Sequence, residues 1–276
     1  MTDTYSLGLL ISLAVGLVVT GAVAGVLAGL LGVGGGIVIV PVLFWLFDWL
    51  GVPDAVAMHV AVATSLATII PTSISSARSH HKKGAIDAAL LKSWAPLIFL
   101  GALAGGLLSK VIASTGLTLI FGVIALLVAI NMALPKKIVL AGDLPKGPVA
   151  RGLVPGFIGV FSALMGIGGG TLSVPTLTAF SFPVHRAVGT AAAFGLVIAV
   201  PAVFGFILSG WGVPLRPPYS LGYVSIPAAV LIFSASVFTA PVGSNIAHRL
   251  NPARLKLAFA AFLFLSAIKM LWSALG

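Results

Sequence analysis

Apolar residues run along this chain in long unbroken stretches, separated by short breaks of Gly, Pro and charge. The stretches fall at 7–31, 36–50, 55–77, 88–112 and 116–134, and again at 152–166, 170–182, 184–210, 221–248 and 253–275. Roughly 20 apolar residues, at 1.5 Å rise each, are what an ~30 Å hydrocarbon layer demands of a helix. The runs are continuous, whereas barrel strands alternate over about ten residues, so the pattern argues against a transmembrane barrel. It predicts an all-α polytopic membrane protein. The segments at 36–50, 152–166 and 170–182 are short for full spans. They are expected either to cross as short spans or to form the arms of re-entrant hairpins, whereas 7–31 is long enough to span.

One signature interrupts the apolar pattern twice, at positions 134 apart. The first copy reads Gly32-Val33-Gly34-Gly35-Gly36-Ile37-Val38-Ile39-Val40-Pro41, and the second Gly166-Ile167-Gly168-Gly169-Gly170-Thr171-Leu172-Ser173-Val174-Pro175. The repeat extends further. Met58 to Thr64 aligns with Val184 to Thr190, pairing His59 with His185. Gly105, Leu117, Phe121, Ala129 and Met132 align with Gly243, Leu255, Phe259, Ala267 and Met270 at a fixed offset of 138. Shared His, Thr, Gly and Pro positions are harder to obtain by chance than apolar matches, so an internal duplication is expected. The first repeat is assigned to 1–134, a polar linker to 135–150 and the second repeat to 151–276.

Composition supports the membrane reading. The chain is 59% hydrophobic and 7% charged, against about 25% charged in soluble domains. Its net charge of +10 is not a nucleic-acid footprint, because the basic residues lie in short connections where they set orientation. Placing Arg78, Lys82, Lys83, Lys92, Lys136, Lys137, Lys146, Arg151, Arg186, Arg249, Arg254 and Lys256 inside leaves only Lys110, Arg216 and Lys269 outside. The loops after the third and eighth segments then lie on opposite sides. The halves are therefore expected to be inverted repeats of about five segments each, with both termini outside and the glycine breaks or re-entrant tips near the midplane. The N-terminus lacks a basic n-region, so 7–31 is expected to be a retained helix.

Several chemistries drop out. There is no Cys and no Glu. The five Asp (Asp3, Asp48, Asp54, Asp87 and Asp143) avoid the depths of the segments, which argues against a midplane acidic cation site. Neither G-x-G-x-x-G nor a P-loop Gly-Lys pair occurs, so nucleotide binding is unsupported. Without H-E-x-x-H or G-x-S-x-G, no catalytic residue, metal or cofactor is expected, and an intramembrane enzyme is the weakest reading.

The glycines suggest a different chemistry. Gly34, Gly35 and Gly36, like Gly168, Gly169 and Gly170, precede an apolar helix. Such a backbone turns sharply and lets a ligand approach its N–H groups. A helix N-terminus adds unsatisfied donors and partial positive charge, which together favour an anion. Paired breaks in corresponding halves are the sequence pointer to a transporter site. Thr64, Ser65 and Thr190 could add hydroxyl donors, as could Thr171 and Ser173, which replace Ile37 and Ile39 of the first copy. His59 and His185 are candidates for a proton or anion relay. Each assignment has a plain alternative: Gly for close packing, Thr bonding its own helix, His at an interface. Residues alone thus support a small-anion transporter, with a passive anion channel using the same backbone site as the alternative.

The paired G-[VI]-G-G-G-x(4)-P motifs, each after an apolar helix and before a His/Ala/Val/Gly/Thr stretch, resemble the TauE/SafE family of sulfite exporters. The basic loop at 78–83 fits as well, and the resemblance covers nearly the whole chain. It implies a multi-pass protein of the bacterial inner membrane that exports sulfite, sulfoacetate or a related organosulfonate by alternating access. The implied partners are that anion and the bilayer; a homodimer is the oligomer considered, with no residue pattern to select it.

Overall fold

The computed structural model describes residues 7–134, 142, 148–246 and 252–275. Ten α-helices form almost all of it: α1 Leu7–Leu31, α2 Gly36–Trp49, α3 Asp54–Lys82, α4 Ala88–Leu108, α5 Ser114–Ala133, α6 Pro148–Met165, α7 Gly170–Ala179, α8 Val184–Ser209, α9 Ile226–Ile246 and α10 Pro252–Leu275. A two-stranded antiparallel hairpin, β1 Ser220–Leu221 with β2 Val224–Ser225, sits between α8 and α9. The linker expected at 135–150 lies almost wholly outside the described residues, as do the side chains of Lys136, Lys137, Lys146, Arg151, Arg249, Arg254 and Lys256.

Most helix boundaries follow from caps that the sequence carries. Gly32 and Gly166 end α1 and α6 with φ of 68°, the left-handed geometry that a residue without Cβ adopts at little cost. At α6 the amide of Gly166 donates to Ala163 O and that of Ile167 to Ser162 O, which occupies carbonyls the helix end would otherwise leave bare. The same paired bonds close α3, from Gly84 to His81 O and Ala85 to His80 O. For that reason α3 runs on through the polar stretch 78–82, past the boundary expected at 77. The segment expected at 221–248 starts late instead, because a turn through Gly222 at φ 56° folds 220–225 into the hairpin.

Six helices (α1, α3, α4, α5, α8 and α9) are long and apolar enough to cross a membrane. With 14 and 10 residues, α2 and α7 reach only about 21 Å and 15 Å. They are half-length. α3 is buried along most of its length and forms the central post. α1, by contrast, exposes Leu10, Ile11, Val15, Val19 and Val23, an apolar face suited to lipid.

The packing is reciprocal between the halves. α1 packs on α9 and α6 on α4; α3 packs on α8, and α5 on α10. Small residues make the close approaches. A Cβ on Gly105 of α4 would lie 2.6 Å from Val160 O of α6, and one on the equivalent Gly243 of α9 would run into Val26 O of α1. Val26 and Val160 are themselves separated by the motif offset of 134. With little hydrophobic drive between helices inside a bilayer, such close backbone contact supplies the association.

Candidate functional site: two glycine tips in contact

The two glycine segments meet backbone to backbone. A Cβ placed on Gly34 would lie 2.9 Å from the Gly168 Cα, and one on Gly168 would lie 2.8 Å from the Gly34 Cα. A Cβ on Gly36 would strike Gly166 O, and one on Gly170 would strike Gly32 O. Gly35 and Gly169 press instead on neighbouring helices, against Ala24 O and Ala191 O. All six predicted glycines therefore gather at one buried junction, where α2 and α7 begin.

The two backbones are not the same. Gly34 and Gly35 have φ of 71° and 77°, so the first tip passes through the left-handed region twice before α2. In the second tip Gly169, the N-cap of α7, has φ −57° and ψ −27°. Neither N-cap supplies a side-chain cap, so the first amides of each helix have no side-chain acceptor. These are the groups an anion would meet.

The hydroxyls divide unevenly as well. Ser65 Oγ donates to Gly166 O at 2.7 Å, tying α3 to the second tip. Thr64 Oγ1 accepts from the Ser225 amide at 3.0 Å, and Thr190 Oγ1 from the Asp87 amide at 2.9 Å. These two bonds are reciprocal, since Asp87 and Ser225 stand 138 apart. Each threonine crosses to the other half and keeps its O–H to donate elsewhere. Thr171 Oγ1 and Ser173 Oγ are buried without a hydrogen-bond partner among the described residues. Buried hydroxyls are normally paired, and an unpaired one costs about 1–3 kcal/mol. Two residues apart on a helix is about 200°, so Thr171 and Ser173 leave α7 on different faces.

A residue that the sequence reading did not single out belongs here. Ser73 Oγ, on α3, is also buried and unpartnered. A Cβ on Gly195 of α8 would collide with that oxygen and lie 3.7 Å from the Gly169 amide nitrogen. Gly195 thus opens the space in which Ser73 approaches the N-terminal end of α7. A signal for it was present: α3 carries Thr64, Ser65, Thr68, Thr72, Ser73 and Ser76, all buried, within a segment long and apolar enough to cross a membrane. Thr68 and Thr72 satisfy their own helix by donating to Ser65 O and Thr68 O; Ser73 does not.

The two histidines part company. His59 is buried in the first turns of α3, with Nε2 3.0 Å from both Ser109 O and Ile112 O. That nitrogen carries the hydrogen, because both neighbours are acceptors. The ring stacks on Tyr223 at 4.7 Å between centroids. Burial pushes the Tyr223 phenol above its ordinary value, and Arg216 opposes the shift. His59 therefore braces the end of α4 against the hairpin. His185 is exposed at the start of α8, beside Arg186, which pairs with Asp87 at 2.7 Å. Lys269 of α10 is exposed and stands 4.3 Å over the Trp45 ring. Among the described residues, no group of three or more His, Cys, Asp or Glu could hold a metal ion.

The chain belongs to the family described as "Sulfite exporter TauE/SafE", whose sequence model matches residues 17–270. It is 39% identical over 242 residues to a "Probable membrane transporter protein" of Haemophilus influenzae, covering 87% of this chain and 90% of that one. It is 31% identical over 250 residues to a protein of the same description from Methanocaldococcus jannaschii, covering 87% and 88%. A Bacillus subtilis relative, also described as a probable membrane transporter protein, is 33% identical over 58% of this chain. No solved structure matches. The chain is a multi-pass membrane transporter of this family.

Proposed function

We propose that this transporter is a secondary exporter of small sulfur-containing anions, sulfite or an organosulfonate such as sulfoacetate, working by alternating access between two inverted repeats. The observation that carries the reading is the meeting of the two glycine tips at the starts of half-length helices buried in the core. Each tip offers backbone amides at a positive helix end, and a sulfur oxyanion needs donors more than it needs a buried cation. The family description supplies the sulfur chemistry, and the reciprocal packing of α1 on α9 and α6 on α4 supports a two-fold relation between the halves. In this reading α2 and α7 are half-length arms reaching the midplane from opposite sides.

Flux of radiolabelled sulfite, sulfoacetate and sulfate across liposomes carrying the purified protein tests the proposal, with and without a pH gradient. Saturable movement of one sulfur anion, reduced in Ser73→Ala while the protein still folds, is the expected result. Accumulation against a gradient separates carriage from a passive channel. Movement of none of the three anions would remove the sulfur-anion reading.

A further inference from the structure

On α3, the face opposite Ser73 carries a second feature. Pro71, Ile74, Ser75, Arg78, Ser79, Lys82 and Lys83 line one side of a pocket of about 590 Å³, and Val237, Pro241 and Asn245 of α9 line the other. At about 100° per residue, Ser73 points some 140–160° away from Arg78 and Pro71. The pocket is thus separate from the glycine junction. It extends from Lys82 to Pro71, eleven residues or about 16 Å along the helix, and no carboxylate lines it.

Its wall is electrostatically one-sided. Pro241 lies within α9 and cannot donate to the carbonyl four residues back, Val237 O. Ser75 Oγ fills that gap, donating at 2.7 Å. Lys83 Nζ donates to Ser244 O at 2.7 Å and Ser244 Oγ at 3.0 Å, near the end of α9 where a cation is favoured. Desolvation holds the Lys83 ammonium below its ordinary value. Val237 O and Ser244 O are therefore occupied, while Arg78 and Lys82 have no hydrogen-bond or ion-pair partner among the described residues. Further in, Pro71, Ile74, Val237 and Pro241 present apolar surface.

We infer that this crevice binds an anionic amphiphile, a phosphate or sulfonate head at Arg78 and Lys82 with its apolar chain laid along Pro71, Ile74, Val237 and Pro241. The apolar length of the crevice favours an occupant larger than a bare oxyanion, which at a few water volumes of about 30 Å³ each would leave the apolar wall uncovered. Position favours a headgroup at the membrane surface. The basic end of α3 is the end that the Lys/Arg bias assigns to the cytoplasm, where basic pockets between helices meet anionic lipid heads. The site does not depend on the transport reading.

The test is retention by the purified full-length protein, read by native mass spectrometry. The probes are dioleoyl phosphatidylglycerol, dioleoyl phosphatidylcholine and hexyl sulfonate. Phosphatidylglycerol should be held at least tenfold better than phosphatidylcholine. Arg78→Gln with Lys82→Gln should remove that preference. Val237→Trp, which fills the crevice and alters no charge, should weaken phosphatidylglycerol tenfold on its own. Displacement of the lipid by hexyl sulfonate would identify a free sulfonate as a second source of the same chemistry; failure to displace it would assign the site to lipid. Equal retention of the two phospholipids, or phosphatidylglycerol binding unchanged in both variants, would overturn the inference.

Discussion

The two glycine tips share a motif and a contact surface, yet they differ in backbone and side chain. The first turns through the left-handed region, which glycine adopts at little cost, and is inert in side chain. Gly34 and Gly35 sit at positive φ, Ile37 and Ile39 are fully buried, and the nearby Ser65 is committed to Gly166 O. The second is relaxed in backbone, with Gly169 in the ordinary helical region, and rich in uncommitted donors: Ser73, Thr171 and Ser173 are buried and unpartnered. The two helix ends thus differ in side-chain chemistry, which only the second carries. The difference suggests that the first tip is a rigid wall and that the second holds the anion.

The largest expected effect falls on both tips alike and so tests their junction. Gly36→Val and Gly170→Val each drive a side chain into the opposing backbone, at Gly166 O and Gly32 O. Overpacking against side chains costs about 1–3 kcal/mol, and backbone yields less. Both variants should lose most of the folded protein recovered by size-exclusion chromatography. Recovery of either at the wild-type level would show that the tips are not in contact.

The next effect separates the tips. Ser73→Ala with Thr171→Val removes two uncommitted hydroxyls with little change of shape, which is neutral or stabilising when the group was unpaired. Sulfur-anion flux should fall about tenfold or more while the melting temperature holds or rises. A melting temperature that drops with flux would mean that these hydroxyls have structural partners. Ser65→Ala should behave in the opposite way. It strips the donor from Gly166 O and should cost about 1–3 kcal/mol, read as a lower melting temperature with flux per folded molecule largely kept.

The smallest effect concerns how the two short helices end. α2 closes through Gly51 at φ 73°, but α7 closes through Ser181 at φ 60° with the same pair of amide bonds. A left-handed non-glycine residue costs about 1–2 kcal/mol, offset in part by the greater unfolded freedom of glycine. Gly51→Ser should lower stability by about 0.5–1 kcal/mol. No change would mean that the left-handed residue closing α2 does not need glycine.

Much of this architecture was legible from the chain. Continuous apolar runs place all ten helices, because a helix in hydrocarbon must be apolar over most of its length. The Gly triplets locate the junction, because a missing Cβ leaves a mark in the sequence. Side-chain commitments leave none. Ser65 and Ser73 sit on the same helix with the same functional group, and only tertiary packing decides that one bonds Gly166 O while the other stays unpaired. His59 and His185 align in sequence yet differ in burial, since equal registers in two halves need not give equal packing. The hairpin at 220–225 was absorbed into an apolar run because Tyr223 and Val224 read as membrane residues while their backbone turns at Gly222.

Amide hydrogen exchange of the purified protein, with and without saturating sulfite, tests most directly whether the second tip holds the anion. Peptides covering 166–174 should be protected by the anion, and those covering 32–40 should exchange at an unchanged rate. Equal protection of both peptides would contradict the division of labour between the tips, and protection of the first alone would reverse it.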